Sequence, residues 1–298
     1  MSQNTTHYLG EFLEYLEIEK GRSVHTITMY ERYIKAYFEY AQITRVQDIT
    51  AESVRSFRIA LNRSPTREGT MKKTTQNKYL IALRSFLKYL AKRDISTLEA
   101  SKIELAQTAQ RELDVITRDE FNRLMSAPSG SDLEDIRDKA ILEFLYSTGL
   151  RVSELCSLKE DIDLSRDELT IRGKGEKLRL VFISQAARRA TRAYLDLRHQ
   201  ADLPILSPAL FVMKTGSAIY PRAVQRILNK RAREAGIMRR VTPHDLRHYF
   251  ATDLLHNGAD IRSVQMLLGH ASINTTQVYT KLSDKFLKEV HSKYHGNT

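Results

Sequence analysis

The chain has 298 residues, of which 42% are hydrophobic, enough for two domains that each bury a core. Its 47 Lys and Arg residues outnumber 36 Asp and Glu residues, and the net charge of +11 favours a polyanionic partner such as nucleic acid. A single cysteine, Cys156, excludes an intramolecular disulfide, and no apolar run reaches the ~20 residues that span a bilayer. With no signal-peptide core at the N-terminus, we expect a reducing, cytosolic compartment.

The first hundred residues have the apolar spacing of amphipathic helices and no convincing strand. The apolar side chains recur every three or four residues in four stretches, at 9–16, 27–38, 54–61 and 80–90. Thr50 is placed to cap the third helix, and Thr74 and Thr75 open the fourth. The pattern predicts an all-helical first domain.

Residues 63–73 contain Pro, Gly and four basic side chains, which predicts a loop. Such a loop is either a solvated connection or a contact to phosphate. The second interpretation yields a set of candidate DNA-binding residues in and just after the loop, namely Arg63, Arg67, Lys72, Lys73, Thr75 and Lys78.

A polar stretch near residues 106–111 marks the end of the first domain. Thr117 and Glu120 then have the spacing of a capping box, which announces a new helix. We therefore predict a DNA-binding domain over 1–105, a linker over 106–115 and a mixed domain over 116–298. Helices are predicted near 118–127, 134–147, 151, 185–200, 220–235, 242–256, 260–268 and 282–294, and a hairpin from strands 168–172 and 178–183.

The segment that begins Thr242-Pro243-His244 predicts a helix whose first turn carries cations. Thr242 is a candidate N-cap, Pro243 suits the first helical position, and His244, Arg247 and His248 point away from the apolar face. This is either an anion site at a helix N-terminus or an ordinary solvated face. A zinc helix is a third interpretation, but Arg247 between the two histidines would repel a dication.

Three further groups are candidates for chemistry. Arg151 and Glu154 are one helical turn apart, so that the carboxylate can orient the guanidinium. Lys174 lies between two glycines in the predicted hairpin turn, where its side chain can reach a neighbouring site. His270 follows a helix-ending glycine, and Tyr279 lies nine residues later. Each group alone is also compatible with a surface ion pair, a soluble turn or a part-buried tyrosine.

In chain order these motifs read GLRVSEL, GKG, HDLRH, LGH and VYT, and this order resembles the tyrosine recombinase (phage integrase) family. The stretches TITMYERYIKAYFEY and TTQNKYLIALRSFLKYL resemble its helical core-binding domain, and the run HDLRHYFAT…LGHASINTTQVYT is most similar to the Xer branch. The resemblance implies a mainly α fold with a small β-hairpin: a SAM-like core-binding domain and a mixed α/β catalytic domain that close as a C-shaped clamp on DNA.

The resemblance also implies roles and partners. Tyr279 would be the nucleophile that forms a 3′-phosphotyrosyl linkage, and Glu154 would support the arginines. The remaining catalytic positions would be Arg151, Lys174, His244, Arg247 and His270. We expect no cofactor or metal, since the sequence lacks a Walker loop and an acidic two-metal cluster.

The partners implied are a double-stranded recombination site and a homotetramer, or a heterotetramer with a related recombinase, with a C-terminal helix at 284–295 docked on a neighbour. The expected setting is the nucleoid in the cytoplasm, with no membrane contact, where Xer enzymes resolve chromosome dimers before partition and cell division. An activating DNA translocase is a further candidate partner. An integrase of a mobile element, and an inactive DNA-binding architectural protein, remain as alternative functions.

Overall fold

The computed structural model describes residues 4–66, 69–108, 115–172, 178–201, 204 and 206–269. Within these ranges the chain is mainly helical, and it divides into two compact units, Met1–Glu112 and Leu113–Thr298. The division falls inside residues 106–115, for which the sequence predicts a linker. The exact domain limits stay a prediction.

The described residues of the first unit form four α-helices around one core. They are α1 (Thr5–Ile18), α2 (Val24–Ala41), α3 (Ala51–Arg63) and α4 (Lys73–Lys92), with short 3₁₀ helices at Val46–Asp48 and Ala100–Lys102. The Thr50 side chain accepts from the backbone N–H of Ser53, and the Ser53 hydroxyl accepts from the N–H of Thr50. The predicted cap of the third helix is therefore confirmed, and it forms a reciprocal capping box.

Aromatic side chains join these helices in the core. The rings of Phe12 and Phe86 meet edge to face with centroids 5.4 Å apart, and those of Tyr37 and Phe57 do so at 5.3 Å. Pairs of this geometry contribute about 0.5–1.5 kcal/mol each beyond their buried area. The amphipathic periodicity of the sequence thus corresponds to real buried faces.

The expectation of no strand in this unit was wrong. Residues Pro65–Thr66 (β1) pair antiparallel with Gly69–Thr70 (β2), in the segment predicted to be a plain loop. The backbone N–H of Met71 also donates to the Ser64 carbonyl, which extends the closure. Two-residue strands are too short to leave a periodic signal in the sequence.

The second unit contains seven helices and one hairpin among its described residues. The elements are α5 (Arg118–Ser126), α6 (Leu133–Thr148), α7 (Val152–Cys156), β3 (Glu168–Arg172), β4 (Leu178–Phe182), α8 (Gln185–Gln200), α9 (Pro221–Glu234), α10 (Pro243–His256) and α11 (Ile261–Leu268). The predicted elements up to residue 268 are all found close to their predicted bounds. The predicted helix at 282–294 lies outside the described residues.

Helix α6 passes through the centre of the second core. Apart from its apolar residues, it buries Arg137 and Asp138, which bind each other and are 5% and 1% exposed. Asp138 also accepts two hydrogen bonds from the buried Arg231 of α9, at 2.9 and 2.7 Å. A buried carboxylate shared by two guanidiniums ties α6 to α9. Arg231 also binds Asp135 and Glu234, so the buried charges are paired within one network.

Cys156 ends helix α7 and packs, half-buried, against this core. Burial raises the pKa of its thiol to about 11. The side chain therefore stays a protonated thiol at neutral pH, in agreement with the predicted role as a small core residue.

Candidate active site

Helix α10 begins with the cap that its sequence predicts. The Thr242 hydroxyl accepts from the backbone N–H of Asp245, the Asp245 carboxylate accepts from the N–H of Thr242, and Pro243 occupies the first turn. This closed first turn fixes the direction in which His244 and Arg247 leave the helix.

Arg247 is buried and points between the ends of two other helices. Its Nη1 donates to the carbonyl of Gly149, which caps α6, and its Nη2 donates to the carbonyl of Leu268, the last residue of α11, both at 2.6 Å. Helix C-termini carry partial negative charge, so both ends attract the guanidinium. At 3% exposure, Arg247 does not belong to a solvated face.

Gly149 allows this approach. It adopts a left-handed conformation, with φ of +59°, and a Cβ atom there would come within 2.5 Å of the Phe250 ring on α10. Only glycine combines the left-handed backbone with the space that α10 needs.

Arg151 follows two residues later, at the N-cap of α7, and it is held by Glu154. Its backbone N–H donates to Oε2 of Glu154 at 2.8 Å and its Nη1 donates to Oε1 at 3.0 Å. The contact expected from their spacing is therefore present. The Arg151 side chain is 36% exposed, so part of the guanidinium faces solvent, where a phosphate can reach it.

Glu154 has a second partner that the sequence reasoning missed. Arg179 on β4 donates from Nη1 to Oε1 at 2.7 Å and from Nη2 to Oε2 at 2.8 Å. Burial raises the pKa of the Glu154 carboxyl, but the hydrogen bonds and charges of Arg179 and Arg151 outweigh it and set the pKa at about 2. No local pattern links residues 25 positions apart, so periodicity could not find Arg179.

His244 and His248 lie next to each other on α10, with ring centroids 4.2 Å apart in an edge-to-face contact. Desolvation and the positive charges of Arg247 and Arg151 lower the pKa of His244. Desolvation and the neighbouring His244 lower the pKa of His248 to about 4. Both rings are therefore neutral at pH 7, and a neutral imidazole can accept a proton at one nitrogen or donate a hydrogen bond from the other.

The zinc interpretation gains no support. Among the described residues, no group of three or more His, Cys, Asp or Glu side chains is placed to hold a metal ion.

Three predicted catalytic residues, Lys174, His270 and Tyr279, lie outside the described residues. Their neighbours in the chain are described. Arg172, the last residue of β3, pairs with Leu178, the first residue of β4, on either side of the segment that carries Lys174. Gly269 caps α11 with a φ of +62°, directly before His270.

The candidate DNA-binding residues of the first unit gather where α3 ends and α4 begins. The Gln76 amide donates to Asn62 Oδ1 at 3.1 Å and to the Met71 carbonyl at 2.6 Å, which ties the two helix ends together. Thr75 is half-buried in the first turn of α4, and Arg67 is outside the described residues. The exposed candidates around this junction are Arg63, Lys72, Lys73 and Lys78.

Two protein-family models match the sequence of this chain. The Phage integrase family model matches residues 114–285, more than half of the chain, and the model of the phage integrase N-terminal SAM-like domain matches residues 9–94. The chain belongs to the phage integrase family. The predicted fold class, a helical SAM-like domain with a mixed catalytic domain, is thereby confirmed, as is the resemblance to tyrosine recombinases.

Xer proteins are similar in sequence to this chain over nearly its whole length. Tyrosine recombinase XerC of Thermodesulfovibrio yellowstonii is 38% identical over 300 residues, covering 98% of this chain and 97% of the relative. Tyrosine recombinase XerD of Halalkalibacterium halodurans is 34% identical, covering 98% and 99%.

Solved structures give the same assignment. The crystal structure of XerA recombinase is 33% identical, with a TM-score of 0.56 and coverage of 99% of this chain and 100% of that chain. A XerH recombinase bound to its difH substrate has a TM-score of 0.72 and covers 99% and 91%, but at 23% identity it supports the fold alone. No described helix of this family member is long and apolar enough to cross a membrane.

Proposed function

We propose that this phage integrase family member is a site-specific DNA recombinase that cuts and rejoins strands through a 3′-phosphotyrosyl intermediate and a Holliday junction. Its biological role would be the resolution of chromosome or plasmid dimers. The Xer relatives support this role, and so does the convergence of Arg151 and Arg247 beside the ends of α6 and α11.

That convergence is the observation that carries the proposal. Attack on a phosphodiester adds negative charge to the non-bridging oxygens, and two guanidiniums held in advance can stabilise it. Their position costs no reorganisation during the reaction, because hydrogen bonds to Glu154, Gly149 and Leu268 already fix them. Loss of one such donor typically slows a reaction by about 10²–10³-fold.

The state of His244 is compatible with this chemistry. Because its pKa is lowered, the ring is neutral at pH 7 and can take a proton from the attacking hydroxyl or donate a hydrogen bond to the phosphate. His270 would share this task, as the resemblance implies.

Tyr279 would be the nucleophile. Burial raises the pKa of five tyrosines among the described residues, which makes them poor nucleophiles at neutral pH, and these are Tyr37, Tyr89, Tyr146, Tyr194 and Tyr249. The tyrosine hydroxyl would bond to the phosphorus, and the bond to the 5′ oxygen would break. The new ester conserves the phosphodiester energy, so rejoining needs no nucleotide cofactor.

The proposed function is tested by trapping the covalent adduct. Purified full-length protein is incubated with lightly nicked genomic DNA of the source organism, because a nick near the cleavage point lets a short strand escape and prevents rejoining. Protein-linked fragments are then recovered under denaturing conditions and sequenced. We expect adducts at one short sequence with the wild type, none with Tyr279→Phe, and wild-type amounts with Tyr40→Phe, a change to an exposed tyrosine of α2.

If the wild type binds DNA but forms no adduct, the architectural alternative is correct and the recombinase proposal is wrong. If Tyr279→Phe still forms adducts, the nucleophile is misassigned. A plasmid dimer with two copies of the recovered sequence should yield monomers. The location of that sequence, near a replication terminus or at the flanks of a mobile element, separates a Xer role from an integrase.

Lys174 would protonate the leaving 5′ oxygen. We expect Lys174→Ala to slow cleavage of a synthetic nicked duplex that carries the recovered sequence. The same duplex with sulfur at the bridging 5′ position should restore the rate, because a thiolate leaves without a proton. A sulfur substrate that remains equally slow would remove Lys174 from this role.

The cations at the junction of α3 and α4 would contact the DNA backbone. When Lys72 and Lys73 are changed to Gln, we expect DNA binding to depend less on salt. The slope of log binding constant against log salt concentration should fall by about one unit per lost phosphate contact. An unchanged slope would place the backbone contacts elsewhere.

Recombination of two duplexes requires four strand cuts, so the active species would be a tetramer of this chain, or of this chain with a related recombinase. The C-terminal segment 284–295 would dock on a neighbour. Deleting the residues after Asp284 should weaken tetramers on DNA in analytical ultracentrifugation, and unchanged assembly would contradict docking in trans. Association with the nucleoid and activation by a DNA translocase belong to the same proposed role.

A further inference from the structure

Arg179 has no role in the chemistry described so far, yet it is built into the candidate active site. It lies on β4 and is only 12% exposed, less than Arg151 at 36%. Burying a guanidinium is costly unless partners accept its hydrogen bonds, and here Glu154 accepts from both Nη atoms.

The Glu154 carboxylate is held from two sides. Oε1 accepts from Nη1 of Arg151 and Nη1 of Arg179, and Oε2 accepts from the Arg151 backbone and Nη2 of Arg179. These four bonds match the roughly four acceptor directions of a carboxylate. The Glu154 carboxylate makes all four hydrogen bonds in only one orientation. That orientation also sets the position of the Arg151 guanidinium.

The charges of the three groups favour the same role. Glu154 alone would cancel the positive charge of Arg151 at a distance of 3.0 Å. Arg179, at 2.7 Å from the same carboxylate, compensates that negative charge and leaves the trio with a net charge of +1. The positive potential of Arg151 toward an incoming phosphate is thereby retained.

Arg179 also packs against the turn that precedes His270. A Cβ atom on Gly269 would lie 2.9 Å from Cδ and 3.2 Å from Nη1 of Arg179. Its side chain therefore links β4, the start of α7 and the end of α11, which are the three places that carry or adjoin proposed catalytic residues.

We infer that Arg179 is a positioning residue for strand cleavage, which acts through Glu154 to orient the Arg151 guanidinium and to keep its charge available to the scissile phosphate. This inference rests on the proposed function. It assigns Arg179 no contact with the DNA.

The test is single-turnover adduct formation on the synthetic nicked duplex, with binding to the same duplex measured separately. Removing a group that orients a reactive partner costs about 10–100-fold where this has been measured around metal ligands. We expect Arg179→Gln to slow cleavage by about this factor at saturating protein and to leave the Kd within twofold. Arg179→Lys, which keeps the charge but loses the fork, should recover part of the rate.

Arg198→Gln is the matched control. Arg198 lies in the same unit and is 7% exposed, against 12% for Arg179, but it binds the carbonyls of Ala209 and Leu210 and the carboxylate of Glu160 instead of Glu154. This change should lower the melting temperature and leave the cleavage rate of the folded protein unchanged. It therefore separates loss of a buried arginine from loss of positioning.

A double-variant comparison tests the route of action. If Arg179 acts through Glu154, Arg179→Gln should cause no further loss of rate in the Glu154→Gln background. If Arg179→Gln does not fold, the comparison is made with Arg179→Lys.

Additive losses, an unchanged rate in Arg179→Gln, or an equal loss in Arg198→Gln would overturn the inference while the wild type still cleaves. Absence of cleavage by the wild type would instead overturn the proposed function.

Discussion

Replacing Gly149 by Ala should damage both the stability and the activity of the second unit. The left-handed backbone costs an alanine about 1–2 kcal/mol. The added Cβ would meet two atoms of the Phe250 ring at 2.5 and 2.8 Å and a methyl of Leu268 at 3.2 Å. Overpacking of this kind costs about 1–3 kcal/mol more, so the total is about 2–5 kcal/mol.

Gly236 provides a matched control in the same unit. Its φ is +68°, close to that of Gly149, but a Cβ atom there would have no atom within 4 Å. Gly236→Ala should therefore cost only the backbone part, about 1–2 kcal/mol. The difference in stability between the two variants measures the clash with α10, because the cost of placing alanine in a left-handed backbone is common to both.

Scanning calorimetry of the full chain checks this difference. For a unit of this size, 1 kcal/mol shifts the melting temperature by about 2–4 °C. Both variants should shift the unfolding transition of the second unit. Gly149→Ala should lower its melting temperature by about 2–12 °C more than Gly236→Ala does. Adduct formation should fall about tenfold or more only in Gly149→Ala, because the Gly149 carbonyl positions Arg247. Equal melting temperatures and equal rates would refute the steric argument.

Three further outcomes are expected. Asp138→Asn should destabilise the protein by about 1.5–3 kcal/mol, since Arg137 and Arg231 lose their hydrogen bonds to a buried carboxylate while Arg231 keeps Asp135. Glu52→Gln at an exposed pair should cost under about 1 kcal/mol in the same calorimetric scan. His248 has a folded pKa of about 4, below its unfolded value, so its contribution to stability is present above pH ~6.5 and is lost as the pH falls toward 4. Urea titrations from pH 7 to 4 should show this loss, and His248→Gln should reduce it. Arg247→Lys should slow adduct formation about 10²-fold or more, because one ammonium cannot span the two carbonyls and the phosphate. A rate within threefold of the wild type would contradict this.

Local rules predicted much of the fold because its elements are locally specified. The sequence predicts N-caps at Thr50 and Thr242 and a capping box at Thr117, and in the structure all three form capping boxes between residues three positions apart. The β3–β4 hairpin likewise follows from two β-rich stretches around a glycine turn. Periodicity and capping act over one or two helical turns, which is the range that a sequence pattern records.

The contacts that complete the candidate site and the core of the second unit act over longer range. Arg179 reaches Glu154 across 25 positions, and Arg231 reaches Asp138 across 93. Arg247 falls on the polar side of its helix, which predicts solvent exposure, but the ends of α6 and α11 cover it. Tertiary packing decides such positions, and the pattern of a single helix does not contain that information.

The contacts of Arg247 tolerate many substitutions in the residues that surround it. Both acceptors at 2.6 Å are main-chain carbonyls, which every amino acid supplies. Substitution of the Leu268 side chain can alter packing but cannot delete the acceptor. The position of the guanidinium therefore depends mainly on where two helices end. The residue identities that this geometry demands are glycine at 149 and at 269, where the backbone is left-handed and a Cβ atom has no space. A one-residue insertion in α6 or α11 should therefore be less tolerated than most substitutions there, because it shifts a carbonyl that accepts from Arg247.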